Sequence, residues 1–146
     1  MSALSADRYP APRLTTATKR RFPVAANAVI YKGGMVGLSG AGAAAVAAPL
    51  YSAAAQKSVG VASWQANNLG GAAGAITVDV EIGYWLMNNS ATDPVALGDI
   101  GITVYAQDDN TISKTGAPAS GTPTQPVAGT LFNIDAATGA AWVKFS

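Results

Sequence analysis

The chain has 146 residues and a formal net charge of +1, and 31 of the residues that make it 49% hydrophobic are alanines. It contains no cysteine and no histidine, which excludes disulfides, thiolate metal sites and the usual general base and transition-metal ligand of neutral pH. Leu, Ile, Val and Phe number only 30, so one modest core is expected, with added stability drawn from oligomerisation or a partner surface.

The small net charge conceals an asymmetry. Residues 1–32 hold six of the nine bases (Arg8, Arg13, Lys19, Arg20, Arg21, Lys32) against the single acid Asp7, whereas the remaining 114 residues hold three bases and seven acids. Residues 1–23 contain Pro10, Pro12 and Pro23, a Thr-rich middle and no amphipathic period. This composition predicts an extended basic arm that is disordered alone and orders on contact, followed by one β domain over residues 24–146. Residues 1–22 lack the apolar stretch of a signal peptide, and no segment approaches the ~20 apolar residues of a membrane span, so a soluble protein made in a cytoplasm is expected.

From Asn27 the elements follow in order. NAVIYKGGMVGL predicts a hairpin around Gly33-Gly34. Residues 40–57 are Ala-rich but are interrupted by Gly40, Gly42 and Pro49, which favours a weak strand and loop over a helix. SVGVASW (58–64) reads as a strand, and NNLGGAAG as turns. AITVDVEIGYWLM (75–87) alternates with a period of two, which predicts one long half-buried strand. In that strand Ile76, Val78, Val80, Ile82, Tyr84 and Leu86 share the core face, and Thr77, Asp79, Glu81, Gly83 and Trp85 the wet face. A second hairpin is expected where Gln107–Asn110 links DIGITVYA to TISK. Residues 115–126 are a Pro/Gly loop, VAGTLFNI (127–134) a strand, Asp135–Gly139 a turn and AAWVKF (140–145) the closing strand. Eight or nine short strands imply an all-β fold, a small β-sandwich or jelly-roll-like barrel with an extended N-terminal arm.

No catalytic constellation is present. Ser/His/Asp and Cys/His sets are impossible, and no glycine loop ends in Lys-Ser/Thr. Asp79 and Glu81 face the same side of one strand but lack a basic partner in sequence, which reads as a solvated face. Asp108-Asp109-Asn110 lacks the spaced ligands of a calcium loop and reads as a turn. The expectation is therefore a protein with no enzymatic activity, no cofactor and no bound metal. The candidate contact residues are the arm's Arg8, Arg13, Lys19, Arg20 and Arg21, with Phe22 either an apolar anchor where the arm joins the domain or a core side chain. The cluster Lys19-Arg20-Arg21 has too little charge and no interleaved aromatics for nucleic acid, and fits an acidic protein surface better. Trp85, on the wet face, is the candidate interface aromatic.

Four segments taken together resemble tailed-bacteriophage capsid cement, or head decoration, proteins. They are KSVGVASWQANN, GAAGAITVDVEIGYWLMNN, LGDIGITVYAQDDNTIS and PVAGTLFNIDAATGAAWVKF, spanning about residues 57–145. The resemblance implies a virion protein on the outer surface of an icosahedral capsid, made in the bacterial host's cytoplasm. There it bridges neighbouring major capsid proteins, partners with itself as a dimer or trimer, and contacts neither nucleic acid nor membrane. Two other functions fit the same residues: a tail or baseplate structural protein, and a carbohydrate-binding β-sandwich using Trp85 or Trp64.

Overall fold

The computed structural model describes residues 18–51, 56–117 and 121–146. The fold is all-β, as expected. Its first six strands are β1 (Lys19–Pro23), β2 (Val29–Ile30), β3 (Met35–Ser39), β4 (Val46–Pro49), β5 (Lys57–Ala62) and β6 (Ala66–Asn67). The other six are β7 (Thr77–Glu81), β8 (Gly83–Asn89), β9 (Thr103–Asp108), β10 (Thr111–Ser113), β11 (Val127–Ile134) and β12 (Ala141–Phe145). The strands of the described residues exceed the eight or nine expected because Lys19–Pro23 is a strand and not part of an arm, Ala66–Asn67 adds a short one, and the 75–87 segment holds two. Among the described residues only single 3-10 turns at Gly42–Ala44 and Leu97–Asp99 are helical, and no helix is long and apolar enough to cross a membrane.

The strands form three units: a five-stranded sheet in the order β1-β7-β5-β3-β4, a closed five-stranded barrel β10-β8-β12-β11-β9, and a two-stranded ribbon of β2 and β6. Closing the barrel removes its edges, and neighbouring strands run antiparallel except β8 and β10. The barrel interior is filled by Val104, Ile112, Leu131, Val143 and Phe145, and the same cluster includes Met35 and Val61 from the sheet and Leu50 just past β4. The sheet's opposite face packs Val36, Val59, Val78 and Val80 against Ile30 and Ala66 of the ribbon. The sheet therefore lies between barrel and ribbon, which lets a chain poor in large side chains bury both faces. Its curl is pronounced, since Val24, just past edge strand β1, bridges to Ala47 on the opposite edge strand β4.

Three expectations are corrected. First, Gly33-Gly34 does turn the chain, with Gly34 N–H donating to the Tyr31 carbonyl at 3.1 Å, but the flanking strands do not pair. β2 joins β6 and β3 joins β4 and β5, because the barrel-side and ribbon-side cores claim them separately.

Second, the long alternating strand is two strands in two different units. Gly83 has φ +112, a left-handed value open to glycine, and the alternation reverses there. Val78 and Val80 are buried before the break, while Tyr84 and Leu86 are exposed after it and Met87 is buried.

Third, the arm does not extend to residue 23. Lys19–Pro23 is strand β1, paired antiparallel with β7 in the register Lys19↔Glu81 to Pro23↔Thr77. Arg8 and Arg13 lie outside the described residues.

Candidate interaction surfaces

β1 is an edge strand whose charges are satisfied by its neighbour. On the outward face, Arg21 Nε and Nη2 donate to Asp79 Oδ1 and Oδ2 at 2.6 and 3.2 Å, and Lys19 Nζ lies 3.3 Å from Glu81 Oε1. The bidentate bond from Arg21 holds the Asp79 carboxyl below its ordinary 3.8, with the Arg21 and Lys19 charges assisting against partial desolvation. On the inward face, Arg20 Nη2 reaches across β7 to the Val59 carbonyl at 2.5 Å, and its guanidinium lies 5.6 Å from the Phe22 ring centroid. Phe22 itself packs half-buried against the ribbon-side core. The basic cluster and the Asp79/Glu81 pair, read separately in sequence, are thus one cross-strand network. It protects a sheet edge, and the paired carboxylates it uses have basic partners.

Asp108-Asp109-Asn110 is a hairpin turn, with Asn110 N–H donating to Asp108 Oδ1 at 2.9 Å and Thr111 paired opposite Asp108. Burial, and then the adjacent Asp108, push the Asp109 carboxyl above its ordinary value in a turn packed under Gly34. Among the described residues no group of three or more metal-ligating side chains comes together.

The aromatic placement also changes. Trp85 does not stand on a wet face, because the reversal at Gly83 turns it inward, where it is half-buried against the barrel core. Its neighbours take the exposed side. Tyr84 and Phe132 are each 52% exposed and stack with ring centroids 4.5 Å apart, tilted by 58°. Leu86 is paired opposite Trp142, and Tyr84 opposite Lys144, so β8, β12 and β11 together present one apolar outer wall. Phe132 reaches that wall through a bulge: Leu131 opposes Val143 and Asn133 opposes Trp142, leaving Phe132 as the extra residue. Beside the wall, a depression of about 490 Å³ is lined by Leu86, Asn88, Asn89, Thr138, Gly139 and Ala140, none of which ionises. The sequence does carry a signal for this wall, since glycine is the one residue in AITVDVEIGYWLM able to reverse the phase.

Trp64 forms a separate exposed feature at the junction of sheet and barrel. It is 65% exposed and carries Lys32 Nζ at 4.6 Å from its ring centroid. Compared with family models, curated proteins and solved structures, the chain has no match in any of the three.

Proposed function

We propose that this chain is a structural virion protein of a tailed bacteriophage. It binds the outer capsid surface as a dimer or trimer and stabilises the shell by bridging neighbouring major capsid proteins, with no chemistry of its own. The observation that carries the reading is the outer wall of Tyr84, Leu86, Phe132 and Trp142, an aromatic-rich patch left uncovered by the described residues. Patches of this composition on otherwise small, polar surfaces mark protein contacts, and aromatic anchors dominate such contacts energetically. The resemblance of residues 57–145 to cement proteins supplies the partner, and the large Ala and Gly content suits a domain that gains stability on assembly. Symmetry then multiplies weak contacts into firm attachment. Within the contact residues first considered, Lys19, Arg20 and Arg21 act from the sheet edge, already engaged by Asp79, Glu81 and the Val59 carbonyl.

The test is co-sedimentation of the purified chain with expanded capsids that lack it. Saturable binding is expected, near one copy per major capsid subunit. A Tyr84→Ser/Phe132→Ser variant should keep its fold by circular dichroism and lose at least about tenfold in capsid affinity, as the loss of central aromatic anchors does at protein interfaces. Wild-type binding by the folded variant removes the wall from the contact.

A second reading has its own observation: an exposed aromatic pair beside the Asn88/Asn89 depression is also the geometry of a sugar platform. Selective hits on a glycan array would favour it. Immunogold labelling at the tail in place of the head would favour a baseplate role.

A further inference from the structure

A sheet takes on a further strand only where its backbone is unpaired, and among the described residues the fold leaves one such row longer than a two-residue strand. The closed barrel has no edge, and the ribbon strands β2 and β6 are two residues each. Edge strand β4 is covered. Ala25 N–H donates to the Ala47 carbonyl at 2.8 Å, and the Gln56 side chain donates to the Pro49 carbonyl at 3.0 Å and accepts from Tyr51 N–H at 3.1 Å. Edge strand β1 is open. The Thr18 carbonyl accepts from Ile82 N–H at 2.9 Å and Val24 N–H donates to the Ile76 carbonyl at 3.0 Å, so β1 bonds β7 through its even positions. The N–H and C=O of Lys19 and Arg21 therefore point away from β7, where no strand lies among the described residues. Pro23 has no N–H to add, which limits the open donors to these two residues.

The side chains on that row decide what can join it. Lys19 and Arg21 share a face with Glu81 and Asp79, and their side chains stay 60% and 67% exposed despite those ion pairs. Arg21 engages Asp79 through Nε and Nη2, two of its five N–H donors, and Nη1 is left over. A strand paired antiparallel with β1 sets its own same-face side chains about 5 Å from these two. A second copy of β1 would set Lys19 against Arg21, a destabilising like-charge pairing, so these charges guard the edge against self-association but not against an acidic strand. We infer that the β1 edge receives an extended segment of a partner protein, carrying two acidic residues two positions apart opposite Lys19 and Arg21. The main chain of each acidic residue exchanges N–H···O=C bonds with its opposite, and its carboxylate extends the Asp79–Arg21 or Glu81–Lys19 pair into a row of acid, base and acid across three strands. The inference rests on the docking function proposed above and deepens it, since it names the backbone shape and the charge that one capsid contact must present.

The experiment uses the full isotope-labelled chain and follows the Lys19 and Arg21 amide signals by NMR. The probes are a terminally blocked Thr-Glu-Val-Glu-Thr peptide, its Gln counterpart, and two methylated forms of the Glu peptide. One form carries N-methyl groups on both Glu residues, whose N–H groups face β1, and the other on the central Val, whose N–H faces away. Saturable shifts and slowed exchange of the two amides are expected with the Glu peptide and with its Val-methylated form. The Gln peptide should bind about tenfold more weakly, as loss of two cross-strand ion pairs implies, and the Glu-methylated form should not saturate. Lys19→Gln should weaken binding of the Glu peptide severalfold, whereas Lys57→Gln, a surface control, should bind it like the unmodified chain. No response to the Glu peptide, equal response to the Glu and Gln peptides, equal response to the two methylated forms, or self-association of the chain through the Lys19 and Arg21 amides overturns the inference. Co-sedimentation with capsids separates the two proposals. Peptide recognition without capsid binding leaves the open edge standing and removes the capsid function, and capsid binding without peptide recognition does the reverse.

Discussion

At the scale of single residues, two features decide whether the sheet closes correctly. Gly60 sits at φ +135 in β5, beside the bulge that shifts the register between Val36 and Gly37, and a Cβ built there would stand 2.5 Å from the Glu81 carbonyl oxygen. The bulge is what allows Val59 to face the ribbon core while Val61, two positions on, faces the barrel core. Gly60→Ala is therefore expected to lower stability by about 3 kcal/mol, read from the urea midpoint at constant slope. The second feature is the Arg21–Asp79 pair. Because the Asp79 carboxyl is held below 3.8 in the fold, ionised Asp79 favours the folded chain. Its contribution is complete above about pH 4, the ordinary carboxylate value, and is lost as pH falls through the lowered one. Arg21→Gln should move the Asp79 carboxyl resonance's titration upward toward 3.8 and make β1 amide exchange less dependent on acid.

At the scale of elements, β1 changes the meaning of an N-terminal deletion. Its register with β7, the Arg20 bond to the Val59 carbonyl and the packing of Phe22 all belong to residues 19–23. Removing residues 1–17 should leave the thermal midpoint within a few degrees of the intact chain, whereas removing 1–23 should lower it much further. The longer deletion uncovers the backbone edge of β7 and one side of the ribbon core. Equal melting of the two truncations would deny β1 its structural part. Only the shorter truncation removes Arg8 and Arg13 without removing β1, so it alone tests the partner contact proposed for them.

For the whole molecule, the barrel strands bury one side in the core and expose large apolar side chains on the other. Leu131 is 1% exposed inside the barrel and Phe132, its neighbour, is 52% exposed outside. Leu131→Ala should destabilise by about 2–5 kcal/mol, the range for a buried leucine truncated in a packed core, while Phe132→Ser stays within about 0.5 kcal/mol. Calorimetry on both variants tests this division. It also explains how a chain so rich in alanine folds: small residues such as Ala106, Ala128 and Ala141 let the barrel close tightly around a few larger ones.

The all-β class, the final strand pair, the Asp108–Thr111 hairpin and the irregular stretch after Gly40 were legible locally, because turn chemistry and period-two alternation are properties of a few adjacent residues. The phase reversal at Gly83, the separation of β2 from β3 and the incorporation of residues 19–23 into the sheet were not, since each is settled by which of two distant cores claims a strand. The candidate site divides the same way. Composition by itself determined that histidine and cysteine chemistry is absent and that basic charge gathers near the N-terminus. Only the tertiary structure decided that this charge is spent on Asp79 and Glu81, that Trp85 turns inward, and that Tyr84, Phe132 and Trp64 face outward. The physical reason is that pairing and burial join residues about 60 positions apart, as between Arg21 and Asp79, and no local pattern records such a partner.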